Sequence, residues 1–190
     1  MREMHPDGTV ASHGQGTQRE KRMPLSEDYL REHTVGELRP LCGPIRLVNY
    51  DPEWPQSFER EAERIRKALG GRASRIEHVG CTAVPELPAK PIIDIVLVVA
   101  ESDNEGMYVP ALEAGGYRLR VREPDWYEHR LLKGPGNSVN LHVFSSACPE
   151  IERMVRFRNW LRTNKDDRER YARTKRALAE RVVEIHSELR

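Results

Sequence analysis

One carboxylate stands inside an apolar run and is the first residue with evident chemistry. Asp94 lies in the segment Ile92-Ile93-Asp94-Ile95-Val96-Leu97-Val98-Val99, which is typical of a buried strand. Burying a carboxylate there is costly unless a metal ion, a lysine or an arginine compensates its charge. We therefore interpret Asp94 as a metal or substrate ligand. The alternative is a structural ion pair with Lys90, Arg122 or Arg130.

A turn of small residues, Gly80-Cys81-Thr82, precedes this strand and is joined to it by a proline-rich crossing. Such a turn offers free backbone N–H groups, which suit phosphate oxygens, and a nearby carboxylate suits a divalent metal ion. Alone, the turn is a weak signal because small-residue turns are common. Together with Asp94 it predicts a site for phosphate and metal.

Two further readings of these residues use cysteine chemistry. His78, Cys81, His142 and Cys148 are of types that bind zinc, but their spacing matches no usual zinc finger. Cys81 would serve as a nucleophile only with His78 as its base, and no orienting carboxylate is evident. Both readings rank below the phosphate site.

Three polar strand patterns follow. The segment Tyr117–Arg122 alternates apolar residues with arginines, Tyr127–Leu132 carries Arg130, and Val139–Phe144 carries Asn140 and His142. The short turns between them predict an antiparallel meander. Arg122 and Arg130 are candidates for a phosphate or carboxylate contact, with solvated surface as the alternative. His142 is either a ligand or a hydrogen-bonded core residue.

Helical patterns surround these strands. We expect helices over Ser26–His33, from Asp51 to Gly70-Gly71, over Glu105–Ala114, from Pro149, and from Asp166-Asp167. A loose alternation at 45–48 suggests a further strand. Tyr171 and Lys175 stand one helical turn apart, so both could contact one ligand; packing with a solvated lysine is the preferred interpretation.

Length and composition set limits on function. The 190 residues suit one domain, for which we expect a disordered tail at 1–22 and a folded domain at 23–190, with Met23 as a possible start. A net charge of +1 gives no general attraction to nucleic acid, and the arginines after residue 150 alternate with acids and lack an aromatic stacking platform. Three widely spaced cysteines, with no signal or membrane segment, predict a cytoplasmic protein with reduced thiols.

Several motifs together resemble the GrpB (UPF0157) family. The motifs are His78-Val79-Gly80-Cys81-Thr82-Ala83-Val84-Pro85, Lys90-Pro91-Ile92-Ile93-Asp94-Ile95, Tyr50-Asp51-Pro52-Glu53-Trp54, Asn140-Leu141-His142-Val143-Phe144, Phe157-Arg158-Asn159-Trp160-Leu161, and Tyr171 with Lys175. The resemblance covers residues 24–180. It implies a nucleotidyltransferase-like fold, an α/β (α+β) domain with a mixed, mostly antiparallel sheet flanked by helices. Some family members are fused to dephospho-coenzyme A kinase.

The resemblance also implies a chemistry, which is nucleotidyl transfer from a nucleoside triphosphate to a small-molecule acceptor with Mg²⁺ or Mn²⁺. Gly80, Cys81, Thr82, Arg122, Arg130 and Lys175 would contact the nucleotide and its phosphates, Lys90 would neutralise charge, and Asp94 with His142 would hold the metal. The nucleotidyltransferase superfamily's second carboxylate position is Val96 here, which the resemblance implies is a trait of the family, and it favours the alternative of a non-catalytic nucleotide- or coenzyme-binding module. The chain departs from the family at Cys81 (usually Ser), Glu86 (usually Gly) and Asn159 (often Asp).

Overall fold

The computed structural model describes residues 26–37 and 46–188, with side chains as far as residue 180. The helices of this part are α1 (Glu27–His33), α2 (Trp54–Leu69), α3 (Val109–Ala114), α4 (Pro149–Thr163) and α5 (Lys165–Glu188). The strands are β1 (Arg75–Val79), β2 (Ile93–Val99), β3 (Arg118–Glu123), β4 (His129–Lys133) and β5 (Val139–Ser145). Short 3-10 turns span Gly70–Arg72, Cys81–Ala83, Glu105–Met107 and Pro135–Asn137.

The five strands form one sheet in the order β1-β2-β5-β4-β3. Its central pair, β2 and β5, is parallel, and the other neighbouring pairs are antiparallel. The predicted mixed, mostly antiparallel sheet is therefore confirmed. The predicted meander is confirmed as well, because β3, β4 and β5 are consecutive in the chain and adjacent in the sheet.

Strand register divides the sheet residues between two faces, since paired residues point to the same side. The Asp94 face carries Asp94, Val96 and Val98 of β2 with Asn140, His142 and Phe144 of β5. The Ile95 face carries Ile93, Ile95, Leu97 and Val99 with Val139, Leu141 and Val143. Helices α2 and α3 pack on the Ile95 face, and α4 packs on the Asp94 face, so the sheet lies between two helical layers.

Helix α2 starts later than the sequence predicts and ends where the sequence predicts. The predicted start at Asp51 is wrong, because α2 begins at Trp54 with Glu53 as its N-cap. Asp51 instead stabilises the preceding turn, where its Oδ1 accepts a hydrogen bond from the Glu53 amide at 2.9 Å. The predicted end is confirmed: Gly70 caps the helix at φ 56°, a conformation that glycine adopts without a Cβ penalty.

The predicted helix at Glu105–Ala114 is divided in two. A 3-10 turn at Glu105–Met107 is followed by α3 from Val109. Pro110 lies in the first turn of α3, where its missing N–H costs nothing, whereas inside a continuous helix from Glu105 it would lose a hydrogen bond and its ring would clash with the preceding turn. Proline therefore explains why one continuous helix does not form.

The alternation predicted for residues 117–122 is wrong in detail. A register shift between Leu119 and Val121 places Leu119 opposite Leu132 and Val121 opposite Leu131. Such a bulge adds an unpaired residue and reverses the faces that follow it, so Arg118 and Arg122 lie on opposite faces.

The predicted start of the next strand at Tyr127 is also wrong. Tyr127 and Glu128 have φ values of 56° and 51°, which are left-handed, and β4 begins at His129. A left-handed pair turns the chain instead of extending it, so the strand can begin only after Glu128.

The amino-terminal part of the described chain contains α1 and a short bridge. The start of α1 agrees with the prediction, because the Ser26 hydroxyl accepts a hydrogen bond from the Tyr29 amide. The strand expected at 45–48 is reduced to one isolated bridge between Val48 and Ala89, and residue 45 lies outside the described residues. The predictions for the tail at 1–22 and for Met23 also lie outside them. No helix in the described ranges has the length and apolar character that crossing a membrane requires.

Candidate functional site

A cleft of about 310 Å³ opens beside the start of β2. It is lined by Leu47, Cys81, Thr82, Lys90, Ile92, Asp94, Asn140, Lys175 and Leu178. The turn after β1, the approach to β2, the first residues of β2 and β5, and helix α5 all contribute. Of the residues that the sequence predicted, the structure brings Cys81, Thr82, Lys90, Asp94 and Lys175 into this one cleft.

Asp94 is held at the cleft by two neighbours. Its Oδ1 accepts a hydrogen bond from Asn140 Nδ2 at 2.7 Å, because the parallel register places these residues side by side. Its Oδ2 lies so close to Gly80 that a Cβ on that glycine would overlap the carboxylate. The Asp94 side chain is 28% exposed, so the carboxylate reaches solvent instead of being enclosed by the apolar strand.

The Gly80 turn is tied to the sheet by His78. The His78 Nε2 lies 3.0 Å from Thr82 Oγ1, and the ring stacks on Phe58 at 4.9 Å. Burial, reinforced by Arg162 and opposed in part by Asp94, lowers the pKa of His78 to about 4. A neutral His78 therefore fixes Thr82, and the lower-ranked alternative of His78 as a base for Cys81 finds no support in this contact.

Two lysines reach the cleft from different directions. Lys90 is exposed on the approach to β2. Lys175 extends from α5, where its Nζ donates to the Pro88 carbonyl at 2.9 Å and lies 5.9 Å from the centre of the Tyr171 ring. The predicted one-turn pairing of Tyr171 and Lys175 therefore exists, and the carbonyl contact holds the ammonium at the cleft.

Lys133 is a third cation that sequence reasoning missed. It pairs with Asn140 across β4 and β5, and its Nζ donates to Asn140 Oδ1. Burial lowers the pKa of Lys133, Asp94 opposes that shift, and Lys90 adds to it. A partly buried ammonium whose pKa is lowered gains from an anion nearby. Its alternation with Leu132 in β4 was the signal that could have placed it on the Asp94 face.

A row of side chains leads from the core to Asp94, and its inner three members, Glu123, His129 and His142, are hydrogen-bonded in sequence. His142 Nε2 lies 3.9 Å from Asp94 Oδ1, and His142 Nδ1 lies 3.1 Å from His129 Nε2. His129 Nδ1 lies 2.6 Å from Glu123 Oε2. Sequence reasoning found His142 but not His129 or Glu123, because the left-handed residues before β4 conceal the strand's true start.

Arg122 and Arg130 lie elsewhere. Arg130 pairs with Val143, so both arginines belong to the Ile95 face, and they share the Glu105 carboxylate. Arg130 Nε lies 2.6 Å from Glu105 Oε1, while Arg122 contacts both carboxylate oxygens at 2.7 Å. These hydrogen bonds, led by that of Arg122, lower the pKa of Glu105. The structure therefore does not bring the two arginines to the cleft, and Asp94 is not their ion-pair partner.

The donor set for metals is small. Among the described residues, no group of three or more His, Cys, Asp or Glu side chains is placed to hold a metal ion. The zinc alternative therefore does not fit, since His78 lies on the Ile95 face and Cys148 packs under α4 on the other side. Val96, at the second carboxylate position, is fully buried with Phe144.

Comparison with known proteins assigns the family. Residues 44–187 match the family model described as GrpB protein. The chain belongs to the GrpB family. The resemblance drawn from the sequence motifs is thereby confirmed for most of the folded part of the chain.

Individual relatives agree with this assignment. The GrpB chain is 59% identical over 157 residues to a UPF0157 protein of Halalkalibacterium halodurans, covering 83% of this chain and 80% of the relative. It resembles the crystal structure of conserved protein GrpB from Enterococcus faecalis with a TM-score of 0.65 and 31% identity, over 71% of this chain and 83% of that one. It is also 33% identical to a dephospho-CoA kinase of Mycolicibacterium paratuberculosis, over 79% of this chain but only 43% of the kinase.

Proposed function

We propose that the cleft binds the phosphate groups of a nucleotide or of a coenzyme A-related ligand. The observation that carries the proposal is the convergence of Lys90 and Lys175 on the Cys81-Thr82 turn in one cleft of about 310 Å³. Ligand pockets usually measure roughly 300–1,000 Å³, so this cleft suits the phosphate end of such a ligand better than the whole molecule.

Charge supports a phosphate ligand. Lys90 and Lys175 line the cleft, Lys133 bonds to its wall at Asn140, and Asp94 is the one carboxylate among the described lining residues. Positive charge therefore exceeds negative charge locally, although the whole chain is nearly neutral. The dephospho-CoA kinase relatives suggest the same ligand class, although that activity belongs to proteins of which the match covers less than half.

Nucleotidyl transfer is the second candidate, and the pair formed by Asp94 and His142 favours it. In this reaction an acceptor hydroxyl would attack the α-phosphorus of a nucleoside triphosphate. A new P–O bond forms, the bond to pyrophosphate breaks, and the hydroxyl proton passes to a base. His142 Nε2 at 3.9 Å from Asp94 Oδ1 is placed to receive that proton, while Lys90 and Lys175 would neutralise the phosphates.

Mg²⁺ or Mn²⁺ is part of this second candidate. Mg²⁺ is usually held by one or two carboxylates together with substrate phosphates, and it would supply charge neutralisation there. Asp94 is the carboxylate that this site offers to the ion, and His142 Nε2 can either coordinate the ion or receive the proton, but not both at once. The residues therefore fit an ion that arrives with the phosphates and not one held by the protein alone.

Calorimetric titration with ATP and with coenzyme A tests phosphate binding. We expect Lys90→Gln and Lys175→Gln to weaken binding about 10- to 100-fold each, the effect of losing a charged hydrogen bond worth about 1.5–3 kcal/mol. Lys165→Gln is the matched control, because Lys165 pairs with Glu169 on the surface of α5. Unchanged affinity in both cleft variants would show that the cleft is not where the phosphate groups bind.

Asp94→Asn separates the two candidates. Without divalent metal, removal of a negative charge beside the phosphates should leave ATP binding unchanged or strengthen it. With Mg²⁺, the same variant should weaken binding and abolish pyrophosphate release if nucleotidyl transfer occurs. A wild-type protein that binds ATP without releasing pyrophosphate in the presence of varied acceptors would favour the binding module.

A further inference from the structure

Four titratable side chains form a row across four strands of the Asp94 face. Glu123 of β3, His129 of β4, His142 of β5 and Asp94 of β2 succeed one another on this face. Glu123 pairs with His129, while His142 pairs with Val96, so Asp94 lies diagonally from His142, two residues before Val96 on the same face. The row begins in the core and ends at the cleft. Its inner members Glu123 and His129 are 6% and 3% exposed.

At the buried end of the row, the Glu123 carboxylate determines which nitrogen of His129 carries a proton. The Glu123 carboxylate accepts a hydrogen bond from the Tyr29 hydroxyl at Oε1 and contacts His129 Nδ1 at 2.6 Å through Oε2. An ionised carboxylate has acceptors only, so the proton in the second bond belongs to His129 Nδ1. A neutral His129 then carries a lone pair on Nε2.

The hydrogen bond between His129 and His142 then determines which nitrogen of His142 carries the proton. In a neutral His129, Nε2 can only accept, so the 3.1 Å contact requires His142 Nδ1 to donate. A neutral His142 is then unprotonated at Nε2, the nitrogen that faces Asp94. Two neutral rings in series have one arrangement that satisfies both hydrogen bonds, and the carboxylate at the inner end selects it. The His129 ring is held in place by stacking on Phe144 at 4.8 Å.

We infer that Glu123, acting through His129, holds the proton of His142 on Nδ1 and presents the Nε2 lone pair to the cleft beside Asp94. Glu123 and His129 are positioning residues in this arrangement. Nε2 and Asp94 Oδ1 are then both acceptors, which agrees with their separation of 3.9 Å. A ligand group between them is a donor, either a hydroxyl or an amine, and this last step alone rests on the proposed function.

Two-bond proton–nitrogen correlation spectra of the free protein at neutral pH test the inference, because they distinguish protonated from unprotonated ring nitrogens. His142→Gln identifies the His142 signals among those of the seven histidines. We expect His142 to be protonated at Nδ1 and bare at Nε2. Protonation of wild-type His142 at Nε2 would overturn the inference without any variant having to fold.

His129→Phe supplies the matched perturbation, since it keeps an aromatic ring against Phe144 and removes the acceptor. We expect His142 to shift toward protonation at Nε2, while His78, bonded to Thr82, keeps its spectrum as an internal control. A His142 spectrum identical to that of the wild type would show that His129 does not set the tautomer.

Adding ATP to the wild type tests the donor step separately. We expect the His142 Nε2 signal to move when calorimetry shows binding. Binding that leaves this signal unchanged would remove the donor assignment, whereas absence of binding by both ATP and coenzyme A would refute the proposed function and leave the tautomer result intact.

Discussion

Gly80→Ala is the most informative single change to the site, because Gly80 serves two purposes. Its backbone has φ 69° and ψ −168°, a region that is essentially restricted to glycine. Its missing side chain also gives room to the Asp94 carboxylate, since a Cβ would stand 3.0 Å from both Cβ and Cγ of Asp94 and closer still to Oδ2. Alanine would therefore strain the turn and displace the carboxylate.

The two costs can be estimated separately. A residue held in a sparsely populated region costs about 1–3 kcal/mol. Overlap in a packed site costs about 1–3 kcal/mol more. We therefore expect Gly80→Ala to lower the free energy of unfolding by about 2–6 kcal/mol.

Two other glycines provide controls. Gly70 has φ 56° but nothing within 4 Å of an added Cβ, so Gly70→Ala should show the backbone cost alone, about 1–3 kcal/mol. Gly106 has neither a positive φ nor a close neighbour, and Gly106→Ala should change stability by less than about 0.5 kcal/mol. Urea unfolding of the three variants measures the series.

The order of stability among the three variants tests the account of Gly80. Gly80→Ala should be the least stable, and its ATP affinity should fall more than that of Gly70→Ala. A Gly80→Ala protein as stable as Gly106→Ala, or one that retains wild-type ATP affinity, would refute the account of Gly80 and its contact with Asp94.

Two further predictions concern charges outside the cleft. Burial, with Arg162 and Arg158 adding to it, lowers the pKa of His78 to about 4 from a usual 6.5, so the unfolded chain takes up a proton at higher pH than the folded one. The free energy of unfolding should therefore fall by roughly 2–3 kcal/mol as the pH drops from 7 to 4.5. In His78→Gln the free energy of unfolding should fall less over the same pH range. Urea unfolding that gives the same pH dependence for both proteins would contradict this. Glu105→Gln should destabilise the fold by about 1–3 kcal/mol, because Arg130, whose side chain is 8% exposed, loses its 2.6 Å carboxylate partner and keeps only the longer 3.4 Å contact with Glu128, while ATP affinity stays unchanged. A large loss of ATP affinity in Glu105→Gln would indicate that Arg122 and Arg130 take part in ATP binding.

Much of the fold follows from patterns that sequence shows directly. The apolar run around Asp94 predicted β2 because a central strand buries both faces, and the glycine pair after α2 predicted its end. The polar alternation of Asn140 and His142 with apolar neighbours placed both on one face of β5, which the register bears out. These signals are local, and each depends on residues adjacent in the chain.

The errors arose where local signals conflict with backbone exceptions. The bulge near Arg120 shifts the face of the residues after it by one, and the left-handed pair before His129 delays the start of β4. No distinctive residue type reveals either feature. Arg122 and Arg130, which were expected at the phosphate site, lie on the Ile95 face. Lys133 could not be assigned because its role depends on Asn140, a neighbour only through the sheet.

Nitrogen–proton chemical-shift mapping with ATP tests the central claim most directly, because it reports where the phosphate ligand binds. The account predicts that the largest changes occur at the cleft, in the amides of Cys81, Thr82, Lys90 and Asp94, and that they are lost in Lys175→Gln. Changes concentrated around Glu105 and Arg130, with the cleft amides unmoved, would contradict it.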